Sequence, residues 1–315
     1  MRKIAKASIG LLLIGSISFA QPRKDPAAFL CYVNGKNCTL EDISKILSGT
    51  HPSETKCECI GADDVFSHSV GSRKVYRIFL EESNISGTLT IPHNAALLIE
   101  YAPYTTFKGE IVNEGILETA VPWIGYRDSF PLYFEGKIEN QGKARLSLIP
   151  KKAKIINEGT LSLSTYSHPF FQIKSSPLFA RLNRLKLYSN PDYIGEASII
   201  NKGDLRIHNF LRGSIESLRG SIETSERLVL SAPSKDIPAF EGTINISGGS
   251  VEISGYIRNT TINGDGSTLV EVFKVPLENE DVPGATFENV TCNGVFLKPR
   301  KGANPSFVNT NCVVR

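Results

Sequence analysis

The sequence predicts an all-β protein: a solenoid of stacked coils behind a small, disulfide-pinned N-terminal cap that holds one short helix. Three observations lead there. A short phrase recurs along the middle of the chain, the six cysteines keep to its two ends, and residues 1–20 have the make-up of an export signal.

Arg2, Lys3 and Lys6 form a basic start, Ile9 to Ile17 an apolar stretch, and Ser18-Phe19-Ala20 a small-residue cleavage site ahead of Gln21. That is the order of a secretory signal, and the apolar stretch falls short of the ~20 residues a membrane-spanning helix needs. No later stretch is apolar enough to span a membrane. The expected product is therefore secreted, extracellular or held at a cell surface (periplasm or cell wall included), with no transmembrane span. The expected organisation is a signal at 1–20, a Cys-rich cap over 21–75 and a solenoid over 76–315. The formal net charge of +3 falls to zero without the three leader cations. A neutral chain with interspersed charges excludes the basic footprint of a nucleic-acid binder and the polybasic cluster of an anionic-membrane binder.

Cys31, Cys38, Cys57, Cys59, Cys292 and Cys312 make an even set in an exported chain, which points to disulfides formed in an oxidising compartment. Cys57 and Cys59 are too close for an easy mutual bridge. Cys31 and Cys38 are each expected to pair with one of Cys57 and Cys59, and Cys292 with Cys312. A metal reading of Cys57-Glu58-Cys59 lacks a second pair at zinc spacing, so neither metal nor cofactor is expected.

Within the cap, Phe29 to Val33 reads as a strand and Asn34-Gly35 as a tight turn. Thr39, with Asp42 three residues on, caps a helix whose Leu40, Ile43, Ile46 and Leu47 share one face, and Gly49 ends it. Such a helix suits the open end of a solenoid, whose terminal coil would otherwise leave an unpaired edge.

The recurring phrase is small-x-Ile-x-Asn-x-Gly. It appears from Gly109 through Ile111 and Asn113 to Gly115, and from Gly136 through Ile138 and Asn140 to Gly142. It returns from Ala153 through Ile155 and Asn157 to Gly159, and from Ala197 through Ile199 and Asn201 to Gly203. Weaker echoes end at Ile246, Asn259, Asn289 and Asn309. An inward Ile followed by Asn and Gly describes a strand running into a corner that needs unusual backbone angles. Stacked at one corner, the asparagines can form an internal amide ladder. Their separations of 27, 17 and 44 residues fit coils of about 17 to 22 residues with insertions and one unmarked coil. An antiparallel sandwich would show turns every ~8–12 residues but gives no reason for one phrase at one corner. From Tyr76 onward this allows about 11 or 12 coils and a body about 55 Å long. The near-identical Leu211–Ser217 and Leu218–Thr224 read as a local duplication.

Catalytic motifs are absent from the sequence. His51, His68, His93, His168 and His208 are scattered, there is no nucleophile elbow or phosphate loop, and Asp63-Asp64 would point apart on a strand. Asp192, Asp204, Arg181 and Arg206 are the set that could converge across coils in a polysaccharide-cleaving enzyme. The binding signal is aromatic instead. The stretch from Thr119 to Phe134 holds Trp123, the single tryptophan, with Tyr126, Phe130 and Tyr133. Rings on an insertion from a rigid scaffold suit stacking on sugars or on a protein partner. Tyr166, His168, Phe170 and Phe171 form a second such stretch, and sequons at Asn37, Asn84, Asn245, Asn259 and Asn289 make the chain a candidate glycoprotein.

With its leader and terminal cysteines, the Ile-x-Asn-x-Gly phrase resembles the N-terminal domains of yeast cell-wall adhesins of the hyphally regulated cell-wall protein type. It is also similar to bacterial filamentous-haemagglutinin and autotransporter passengers. The likeness covers about Ser83 to Cys312, and many β-helices share the pattern. It implies a right-handed parallel β-helix at a cell surface. The adhesins' Ser/Thr-rich stalk and lipid-anchor signal and the autotransporters' barrel do not appear before Arg315, so release or non-covalent attachment is expected. The expected function is a structural or adhesive role towards glycan, cell-wall material or another surface or matrix component. The alternative is a polysaccharide lyase or glycoside hydrolase on the same scaffold.

Overall fold

The computed structural model describes residues 29–61, 65–67, 73–82, 84–101, 105–120, 132–164, 171–173, 194–208, 217–232, 238–274 and 285–315. The leader and its cleavage site lie outside these residues. The protein is a parallel β-helix, and each full coil supplies strand segments to three stacked faces.

Face 1 carries the phrase. Its register runs Ile111, Ile138, Ile155, Ile199, Ile222, Ile244, Ile262 and Cys292, each beside the next. Face 2 begins with Phe29–Val33, which pairs in parallel with Lys74–Leu80, and ends with Val313–Val314. Face 3 includes 106–107 against 133–134, 217–219 below 194–196, and Ser306–Val308 against 286–288. Alternation decides what is buried, because successive side chains of a strand point to opposite sides. Ile111, Ile138, Ile155 and Ile199 are essentially inaccessible, as the phrase predicts.

The asparagines also stack as expected. Asn113 Nδ2 donates to Asn140 Oδ1 at 2.7 Å, Asn140 Nδ2 to Asn157 Oδ1 at 2.7 Å, and Asn157 Nδ2 to Asn201 Oδ1 at 2.8 Å. Asn201 Nδ2 then donates to Thr224 Oγ1 at 3.0 Å, which ends the ladder. The phrase glycine has a different reason from the expected one. Gly115, Gly142, Gly159 and Gly203 have no left-handed backbone; a Cβ on Gly142 would instead sit 2.1 Å from the Gly115 carbonyl oxygen. The left-handed angle belongs to the first phrase position, where Gly109 and Gly136 have φ of 142° and 136° and the strand passes from face 3 to face 1.

Two further expectations are corrected. Asn157 pairs directly with Asn201, so the 44-residue gap adds no coil to this column; the extra sequence falls between Ser164 and Ile194. The echoes ending at Asn259, Asn289 and Asn309 belong to another corner. Their Ile257, Phe287 and Phe307 lie on face 3, and the asparagines themselves take left-handed angles of 49°, 52° and 50°.

The two ends differ. At the N-terminal end the helix α1, Leu40–Leu47, has the expected Thr39–Asp42 capping box and buries Leu40, Ile43, Ile46 and Leu47. It lies over the first strand of face 1, Asn84–Ile91, and satisfies its edge: Thr88 N–H donates to Glu41 Oε1 and Thr90 N–H to Ser44 Oγ, both at 2.8 Å. Cys31–Cys59 joins two antiparallel partners and Cys38–Cys57 closes the adjoining loop. At the other end Cys292–Cys312 clips the last coil. Closing loops of 19 and 20 residues contributes about 3 kcal/mol each on the chain-entropy estimate. No described helix is long and apolar enough to cross a membrane.

Candidate functional site

Of the four aromatic residues expected to bind, Trp123, Tyr126 and Phe130 lie outside the described residues. Tyr133 is described, and it is a wall residue rather than part of a projecting loop. It sits in the strand Leu132–Asn140, is 8% exposed, and has Lys151 Nζ 5.3 Å from its ring centroid. Both ends of the expected insertion are wall as well. Thr119 is buried and its Oγ1 accepts from Ser147 N–H at 2.7 Å, while Phe134 packs edge-on against Phe107 at 5.3 Å. Residues 121–131 between them lie outside the described residues.

Of the cross-coil charged set, Arg181 and Asp192 lie outside the described residues. Asp204 and Arg206 share a strand of face 2 and bind each other at 3.0 Å. Arg227 of the next coil comes within 3.6 Å of Asp204 and within 2.9 Å of Glu252. Every charge in this network is matched by a partner. Beside it, burial holds the His208 imidazole below its ordinary pKa, assisted by the cations Arg206 and Arg145. Among the described residues no three His, Cys, Asp or Glu side chains group as metal ligands.

The outer side of face 1 has a different composition along its length. Its N-terminal half is charged and cross-linked, with Lys137 on Glu110 at 3.0 Å and also on Glu139, and Lys108 on Glu135 at 3.1 Å where face 3 adjoins it. Its C-terminal half is mostly neutral. Ser198, Ser221, Thr243, Thr261 and Thr291 follow one another in a single column, each in register with the next. Period-two alternation puts them outside because Ile222, Ile244 and Ile262 go inside.

Two further asparagine ladders flank this column on the last coils. On one side Asn293 Nδ2 donates to Asn263 Oδ1, and Asn263 Nδ2 to Asn245 Oδ1, both at 2.8 Å. On the other, Asn309 donates to Asn289 and Asn289 to Asn259 at 3.2 Å, and Asn259 donates to Glu241 at 3.1 Å. Glu241, 5% exposed, is fixed there by Arg219 and Arg258, each at 2.8 Å. An amide has two donors and two acceptor lone pairs. Each ladder bond uses one of each, so the remaining groups face outward in fixed order. Asp265 stands at the rim, its carboxyl held down to about 2 by hydrogen bonds from the Ser267 N–H, Thr268 hydroxyl and Ser267 hydroxyl.

These residues carry a signal that the phrase obscured: Thr243-Ile-Asn245, Thr261-Ile-Asn263-Gly and Thr291-Cys-Asn293-Gly repeat in register. No protein-family model, curated protein sequence or solved structure matches this chain.

Proposed function

We propose that this is an exported solenoid with an adhesive or structural role, which binds glycan or cell-wall material through the neutral C-terminal half of face 1. The signal-like leader and the three disulfides support export. The observation that carries the binding reading is the array of uncharged hydroxyls and pre-ordered amides on an otherwise ion-paired surface. Such groups match the hydroxyls of a neutral sugar without first shedding counter-ions, and their rotamers are already fixed, which lowers the cost of binding. The aromatic stretch with Trp123, Tyr126 and Phe130 is proposed, on its sequence alone, as a second contact.

The test is retention of the secreted chain on a panel of insoluble neutral and acidic polysaccharides, washed with molar salt. Retention on a neutral polymer that survives the wash is the expected result, because salt screens charge pairs far more than neutral hydrogen bonds. Failure to bind any neutral member removes the reading. Release of reducing ends or unsaturated sugars would replace it with the lyase or hydrolase alternative.

A further inference from the structure

The outer ladders and the threonine column between them have three properties in common: they are neutral, they are exposed or half-buried on the outer side, and they repeat once per coil. The repeat is the spacing of stacked strands, about 4.8 Å. Along the chain, from Asn259 at the corner through Thr261 to Asn263, four residue steps separate the rails by at most about 13 Å. The surface is thus a shallow track with an amide rail on either side and hydroxyls along the middle.

Resting on the glycan reading above, we propose that this track takes one ligand class: a linear, neutral β-1,4-linked polysaccharide lying parallel to the solenoid axis, about one sugar per coil. The linkage follows from shape. A β-1,4 chain is a flat ribbon with hydroxyls along both edges, and each sugar advances it by close to one coil's rise. An α-1,4 chain of the same sugar curls away from a flat surface and meets the rails once. Neutrality follows from composition, since the rails offer amides and the cations beside them, Arg219 and Arg258, are engaged by Glu241. The length of ligand that can be bound follows from the ladders, which each join three coils. The rails are also incompatible with sugar attached to them. Asn259 and Asn289 are sequons whose Nδ2 groups are the ladder donors, so an N-linked glycan on either would occupy a rail nitrogen and cover the track.

The test uses the secreted full chain with cello-oligosaccharides and chito-oligosaccharides of increasing length, and maltodextrins as the α-linked control. Affinity should rise with each sugar up to three or four units and then level off, with maltodextrin of equal length at least tenfold weaker. Asn263→Asp keeps the shape but replaces the donor to Asn245 with an anion, and should weaken binding about tenfold with an unchanged melting temperature. Lys137→Gln, on the charged half of the same face, should bind as the parent does. Equal binding by parent and Asn263→Asp, or equal affinity for α- and β-linked probes, overturns the track while leaving glycan binding in place. Absence of binding to every glycan overturns the underlying reading instead. Peptide mapping after expression in a glycosylating host is an independent check: sugar on Asn289 in ligand-binding protein overturns the track, and unmodified Asn289 supports it.

Discussion

Asn140 shows how one residue type serves both inside and outside of this molecule. It accepts from Asn113 and donates to Asn157 and to the Thr160 carbonyl, with 1% of its surface exposed. Asn140→Ala leaves a donor and an acceptor buried without partners and should cost about 2–4 kcal/mol, read by chemical denaturation. Asn140→Asp adds a pH dependence with a definite sign. The buried carboxylate would face the Asn157 oxygen and the Thr160 carbonyl, so its folded pKa is raised above the unfolded ~3.9. The native state then holds the proton more tightly, and the variant should be most stable in acid and lose stability as pH rises through the folded pKa. A variant most stable at neutral pH would contradict the ladder. The inner ladder was legible in the sequence because Asn follows Ile by two residues, which places both on the same side of the strand. The outer ladder of Asn245, Asn263 and Asn293 was not, because there the amide follows the inward residue by one, and at Asn259 and Asn289 a left-handed corner turns the amide outward despite the two-residue spacing. A one-residue shift moves a side chain to the opposite face, and a search centred on the inward phrase passes over it.

At the scale of the element, α1 covers the solenoid's N-terminal edge with side chains. The Thr88 N–H is the main cause holding the Glu41 carboxyl below its ordinary pKa, against the smaller opposing effect of burial. Because the folded pKa lies below the unfolded one, the contact stabilises at neutral pH and its contribution is lost as pH falls through the folded value. Glu41→Ala should lower the melting temperature at neutral pH by more than it does in acid, with a loss on the order of 1 kcal/mol for one edge hydrogen bond. Glu41→Gln retains an acceptor and should lose less. An identical loss at both pH values in Glu41→Ala would argue that helix packing alone covers this edge. The helix was fully legible, since its cap, its apolar spacing and its terminating glycine are local signals. Tyr133 was not, because an aromatic residue near a long gap reads as loop until the strand register fixes which residues return to the wall.

For the whole molecule, the register makes the coil between Asn140 and Asn157 the shortest complete turn among the phrase-marked coils, 17 residues through three faces. The longer gaps fall between strands of successive faces and leave the stacked columns intact, which is why spacing alone suggested an unmarked coil between Asn157 and Asn201 although the two are direct neighbours. Deleting 141–157 would join Asn140 to Glu158-Gly159 and restore the phrase, with Ile138 and Asn140 set beside Ile199 and Asn201. That protein should fold with the same strand signature in circular dichroism and be shorter by one strand spacing, about 4.8 Å. Deleting 141–149 removes only part of a turn, shifts every later column, and should leave an aggregating chain. If both deletions fold equally well, register does not control this architecture. If they differ as expected, the chain changes length only in whole turns. Unequal recombination between two copies of its gene could then lengthen or trim the protein in a single generation and pass through no misfolded ancestor.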